Sequence, residues 1–239
     1  ARGLRWLAAA AAGGGVSVPE LLACDDDCVI VAWVEPGRPT PEAAEAFGQA
    51  LAATHAAGAE SFGAAQDGFI GPLPLPNQPV DDWATFWATR RVLPYLRAAR
   101  DRAAVTDAEA ATVEAVLGRL EELAGPAEPP ARLHGDLWSG NLVWAAEGHV
   151  WVVDPAAYGG HRETDLAMLA LFGAPHLART IAAYVEAAPL ADGWRERAGL
   201  HQLHPLLVHA VLFGGGYGSR AAQAAQSVLD GRPTISVPD

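Results

Sequence analysis

The sequence predicts an α+β fold in which a few short strands are set among helices that fill most of the chain. Two observations place the strands. Glu20–Cys24 and Cys28–Glu35 are β-type runs on either side of an acidic Asp25–Asp27 turn, and Asn141–Trp144 and Val150–Val153 flank Glu147-Gly148, a hairpin turn. A third places the helices: capped stretches with 3.6-residue periodicity recur at Thr40–Ala57, Asp81–Asp101 and Thr106–Leu123, and again after Glu163. No internal repeat or second globular domain is legible. Residues 1–239 are therefore expected to form a single domain, long enough to bury a substantial core.

Composition narrows the class. With 51% hydrophobic and 18% charged residues the chain is a folded one, not a disordered one. A net charge of −12 argues against nucleic acid or an anionic membrane surface as a partner. No apolar run approaches the ~20 residues needed to span a bilayer. The apolar opening, Leu4–Gly15, lacks the layout of a secretory signal and reads as a helix running into a glycine stop. Cys24 and Cys28 are the only cysteines; two ligands cannot close a structural zinc site, so a buried or free thiol pair is expected. Such sparse cysteine fits a cytoplasmic location.

Taken in order, Ala1–Ala12 is a helix ended by Gly13-Gly14-Gly15. Val29-Ile30-Val31 is β-branched and expected to be buried. Thr40 caps the next helix, with Pro41 at its first position. His55 near its end reads as a packed or capping histidine. Glu60–Val80 is a long loop punctuated by glycine and proline. In Asp81–Asp101 the stripe Trp83, Phe86, Trp87 is core packing, and Pro94 should kink or break the helix. Thr106 and Glu109 form a capping box. Beyond the central segment come helices at Glu163–Leu171, His176–Ala187, Gly193–Phe213 (interrupted at Pro205) and Ser219–Leu229. Gly214–Gly218 follows a helix instead of a strand, so it is read as a helix stop in preference to a phosphate loop.

The chemistry concentrates in Arg132–Leu169. A hairpin there would bring His134-Gly135-Asp136 and Asn141 towards Asp154. A lone Asp at a strand end is usually a turn former or a helix cap. An Asp, an Asn five positions on, and a second Asp straight after an apolar strand are together the layout of a phosphoryl-transfer site. In that layout Asp136 accepts the proton of the attacking hydroxyl, Asn141 and Asp154 hold Mg2+ against nucleotide phosphates, and His134 fixes the loop.

HGDLWSGN followed by VVDPAAYGGHRETDLAMLALFG resembles the fructosamine kinase (ketosamine 3-kinase) family, a branch of the aminoglycoside and choline phosphotransferase group. Phe69–Pro74 with Pro76-Asn77, and Leu212–Gly215, are similar to it as well. The resemblance implies a protein-kinase-like two-lobe fold. Residues 1–35 would be the remnant of an incomplete N-terminal β lobe with its hinge, and 36–239 a mainly helical C-terminal lobe. It implies ATP and Mg2+ as cofactors, with the Ala32 carbonyl and Val34 amide reading the adenine. The acceptor would be a ketosamine, small or protein-bound, phosphorylated on its sugar 3-hydroxyl as in protein deglycation and repair. Trp138, two residues past the base, would wall the acceptor pocket, and Asp165 would hydrogen-bond back to the catalytic loop. Kinases of this fold use a strand lysine, whereas all 16 basic residues here are Arg. That lysine, its partner glutamate and a glycine-rich loop are accordingly expected upstream of Ala1. The competing readings are an aminoglycoside- or choline-type phosphotransferase, a metal hydrolase built on His134, Asp136, Asp154 and His161, and a non-catalytic pseudokinase.

Overall fold

A computed structural model describes residues 1–25 and 27–235. Among them are ten α-helices and eight strands, the strands paired as four two-stranded antiparallel sheets. The chain divides into two compact units, one made of Ala1–Glu60 with Pro129–Leu190 and the other of Ser61–Glu128 with residues 191–235.

The first unit opens with α1 (Arg2–Ala8) and a 3-10 turn at Ala11–Gly13, followed by β1 (Leu21–Cys24) and β2 (Val29–Val31). Asp26, in the predicted acidic turn, lies outside the described residues; beside it the Asp25 carboxylate accepts from the Asp27 and Cys28 amides at 2.9 and 2.8 Å. Cys24 and Cys28 are exposed free thiols. The expected burial of Val29-Ile30-Val31 is not observed, Val29 and Ile30 being 48% and 50% exposed. A two-stranded ribbon has two faces, and β-branched residues favour the pleat whether or not a second layer covers it. The second strand also stops at Val31, short of the expected Glu35: the Ala32 amide still reaches the Glu20 carbonyl at 2.8 Å, and Pro19 before Glu20 has no N–H to continue the ladder.

α2 (Pro41–Ala56) starts as predicted, with the Thr40 side chain accepting from the Ala43 amide. It packs on α8 (Leu177–Ala187) at Gly48, where a methyl group would run into the Thr180 carbonyl. Leu51, Leu133, Leu137, Val152, Leu166 and Leu169 complete this core, each worth about 1.5–3 kcal/mol on full burial. Around it lie β5 (Ala131–Leu133), the hairpin β6 (Leu142–Trp144) and β7 (Val150–Val152), β8 (Tyr158–Gly160) and α7 (Glu163–Phe172). The hairpin turns at Gly148, whose φ of 85° suits a residue without a Cβ. The partner of β5 is β8, a strand not predicted.

In the second unit the loop expected over Glu60–Val80 holds a short hairpin, β3 (Gly68–Ile70) with β4 (Leu73–Leu75). The single helix expected over Asp81–Asp101 is three segments: α3 (Trp83–Phe86), a π-helix at Trp87–Val92, and α4 (Leu93–Asp101). Pro94 sits in the first turn of α4, so the disruption falls before it: the π turn widens the backbone where the proline ring would strike the carbonyl four residues back. α5 (Asp107–Leu117) begins with the predicted capping box, and α6 (Leu120–Leu123) is separated from it at Gly118. α9 (Trp194–Phe213) runs unbroken through Pro205, and α10 (Tyr217–Leu229) packs against α9 and α5. Trp83, Phe86 and Trp87 are buried, the two indoles stacked at 5.5 Å. No helix among the described residues is long and apolar enough to cross a membrane.

Candidate active site

β5 ends at Leu133 and delivers the chain into a loop that hydrogen bonds hold on three sides. Asp165, in the first turn of α7 and fully buried, accepts from the His134 amide at 2.8 Å and the Gly135 amide at 3.0 Å. Its third donor is His55 Nε2 at 3.2 Å, and the other nitrogen of that imidazole meets the Tyr184 hydroxyl at 2.8 Å. Burial opposes ionisation of Asp165, but His55, His134 and the Gly135 amide outweigh it and hold its carboxyl below the usual range. His55 is thus a packed histidine with a purpose: it anchors the residue that anchors the loop. Gly135 has φ 80°, and a side chain there would strike the Ala156 carbonyl.

His134 joins this loop to the next. Its Nε2–H donates to the Val153 carbonyl at 2.9 Å, while Nδ1 accepts from the Asp136 amide at 3.2 Å. Both ring nitrogens are used, and burial pushes its pKa down, so the imidazole is a neutral brace. That arrangement takes His134 out of the metal-ligand set a hydrolase would need. Asn141, at the end of a 3-10 turn (Ser139–Asn141), donates through Nδ2 to the Asp136 carbonyl at 2.8 Å and to Asp136 Oδ2 at 3.0 Å. Its own carbonyl accepts from the Val153 amide at 3.0 Å. Asp154 follows at once, exposed and held at φ 50°, a conformation costly for a non-glycine residue and found where a site dictates the backbone.

Burial raises the Asp136 carboxyl to about 6, the Asn141 bond opposing this and the charges of Asp165 and Asp154 adding to it. Crowded negative charge of this kind is what a cation relieves. The donors at hand, the Asp154 carboxylate and the Asn141 side-chain oxygen, are hard oxygen ligands suited to Mg2+.

Ala32 and Val34 line an apolar cavity of about 200 Å3 with Pro19, Val31, Trp33, Pro36, Val143 and Val153. Val143 belongs to β6 and Val153 precedes Asp154, so the cavity shares its walls with the segments that carry Asn141 and Asp154. Among the described residues no protein group bonds the Ala32 carbonyl or the Val34 amide. The chain beyond them is pinned to the end of β6 and the turn after it, through Gly37 N–H to the Trp144 carbonyl at 2.6 Å and Ala146 N–H to the Glu35 carbonyl at 3.0 Å. Trp138 is 39% exposed and meets Phe172 edge to face.

The expected residues therefore fall into one connected set. Sequence reasoning missed Tyr184, whose only signal is its position one helical turn from Thr180 and Ile181 on the buried face of α8, and the cavity walls Pro19, Val143 and Val153, which look like ordinary strand residues.

The fold is that of the protein-kinase-like phosphotransferases: the choline kinase LicA of Streptococcus pneumoniae superposes with a TM-score of 0.58 at 13% identity, covering 96% of this chain and 80% of that one. Within that class the family model described as Fructosamine kinase matches residues 1–231, and the chain belongs to this family. A probable ketoamine kinase of Synechocystis is 38% identical over 203 residues, 84% of this chain and 67% of that protein. The crystal structure of a candidate fructosamine-3-kinase from Thermobifida fusca superposes with a TM-score of 0.92 at 54% identity, covering 96% of this chain and 78% of that one.

Proposed function

We propose that this protein is an ATP-dependent kinase that phosphorylates the sugar 3-hydroxyl of ketosamines, free or carried on protein. Membership of the fructosamine kinase family supports the reaction class. The structural observation that carries the reading is the double use of His134, which braces the Asp136 loop against the strand end bearing Asp154.

In this reading Asp136 accepts the proton of the acceptor hydroxyl, and Asn141, bonded to it, sets its orientation. Asn141 and Asp154 would hold Mg2+, which when bound neutralises charge on the nucleotide phosphates. The apolar cavity takes the adenine, with the Ala32 carbonyl and Val34 amide meeting its polar edge. Trp138 offers an aromatic face to the C–H surface of the sugar. Phosphoryl transfer asks mainly for positioning, and Asp165 supplies it by fixing two successive backbone amides of the loop.

The test is a panel of fructosyl and ribulosyl amines, aminoglycosides and choline, each assayed with ATP and Mg2+ for phosphate incorporation. Ketosamine-specific incorporation is the expected result. Transfer to aminoglycosides or choline instead would replace this reading with the broader group's activity.

A further inference from the structure

Trp138 lies in the same loop as Asp136, between two buried residues, Leu137 and Asn141, yet it is itself 39% exposed. Two contacts fix that ring. A methyl group at Gly140 would collide with three carbons of its six-membered ring, so the indole lies across the Gly140 backbone at a distance only glycine permits. On another side stands Phe172, the last residue of α7, with centroids 6.2 Å apart and planes at 65°.

Phe172 and Asp165 are seven residues apart on one helix, which is two turns, and so share a face. That face also carries the buried Met168 and Leu169. One end of α7 thus grips the loop backbone at His134 and Gly135, and the other end grips the Trp138 ring.

Resting on the ketosamine kinase reading, we propose that Phe172 is a specificity-determining positioning residue: with Gly140 it locks the Trp138 indole into an aromatic corner that receives the C–H face of the acceptor sugar. Aromatic pairs favour the edge-to-face arrangement seen here, and a locked ring loses less freedom when a sugar packs against it. Phe172 acts through Trp138, so removing its ring should weaken acceptor recognition while leaving the chemistry and the nucleotide alone.

The experiment compares wild type, Phe172→Leu, Phe172→Tyr and Gly140→Ala with fructosyl-glycine as acceptor. Phe172→Leu keeps an apolar side chain but removes the ring; KM for fructosyl-glycine should rise about 3- to 10-fold, the range an aromatic pair contributes. Its kcat at saturating acceptor, its KM for ATP and its acceptor-free ATP hydrolysis should stay within about twofold of wild type. Phe172→Tyr should restore the acceptor KM, and Gly140→Ala, which must displace the indole, should raise it further than Phe172→Leu does. An unchanged acceptor KM in Phe172→Leu, or equal losses in acceptor KM, ATP KM and ATP hydrolysis, would overturn the corner while the kinase reading stands. A wild-type protein that hydrolyses ATP but phosphorylates no ketosamine would overturn both.

Discussion

Replacing Asp165 by asparagine removes one charge and changes almost nothing in volume, so its effect isolates what the carboxylate does. In the native protein its oxygens satisfy three donors: the His134 and Gly135 amides and His55 Nε2. Hydrogen bonds to a charged group contribute about 1.5–3 kcal/mol each, and a buried donor left without a partner costs about 1–3 kcal/mol. An asparagine oxygen placed at the Oδ2 position keeps His134 and His55, but its NH2 then faces the Gly135 N–H, donor against donor. Placed the other way, it keeps Gly135 and loses two. The better orientation loses one bond outright and weakens two, which sums to about 3–4 kcal/mol. Denaturant unfolding, with midpoint and slope both recorded, reads that loss directly. The same loosening should let Asp136 drift from its productive position and lower kcat by about 100-fold. A variant with native midpoint and native kcat would refute the reasoning, because it would mean the three bonds hold nothing in place.

The remaining expectations are separable from that one. Asp136→Asn should lower kcat at least about 100-fold with little change in ATP affinity, measured by steady-state kinetics beside nucleotide titration; an unaltered kcat removes Asp136 from the mechanism. Asp154→Ala should abolish the Mg2+-assisted part of ATP binding in calorimetric titrations, and an equal Mg2+-dependent gain in affinity in mutant and wild type would place the metal elsewhere. His204 is buried and its pKa is pushed down to about 3, chiefly by burial and then by the charge of Arg91, with His209 adding to this and the Arg91 carbonyl opposing it. A folded value below the unfolded 6.5 means its contribution is complete above pH 6.5 and is lost as pH falls, by up to roughly 3 kcal/mol at pH 4. His204→Asn, which can still donate towards the Arg91 carbonyl, should flatten that acid slope in unfolding curves taken from pH 7 to 4; parallel slopes in the two proteins would sink the assignment.

The heart of the site was legible because it is local. His134, Asp136, Asn141 and Asp154 lie within one loop–hairpin–loop, and the apolar pattern of β6 and β7 announces the hairpin that joins them. What stayed hidden depends on partners far along the chain or on residues with no propensity to show. β8 is Tyr158-Gly159-Gly160, and two glycines give no strand signal; it is a strand because β5 pairs with it. The β3–β4 hairpin is masked by Gly68, Pro72 and Pro74, which read as loop chemistry. Val29 and Ile30 misled in the opposite sense, since β-branching reports backbone preference and says nothing about what lies over the strand. Tyr184 enters the site through His55, 129 positions earlier, and no local pattern encodes that distance.

The brace at His134 separates two properties of the enzyme that evolution would otherwise have to tune together. The loop of Asp136 and the strand end before Asp154 are tied through main-chain groups, the Asp136 amide and the Val153 carbonyl, which every sequence possesses. Trp138, Gly140 and Phe172 meet instead through shape, the indole lying across the Gly140 backbone and edge to face with the Phe172 ring. On the proposed role of the aromatic corner, a lineage could change its acceptor by redrawing those positions while the His134 brace is kept. Swapping those positions between distant relatives is accordingly a rational starting point for directed changes of substrate.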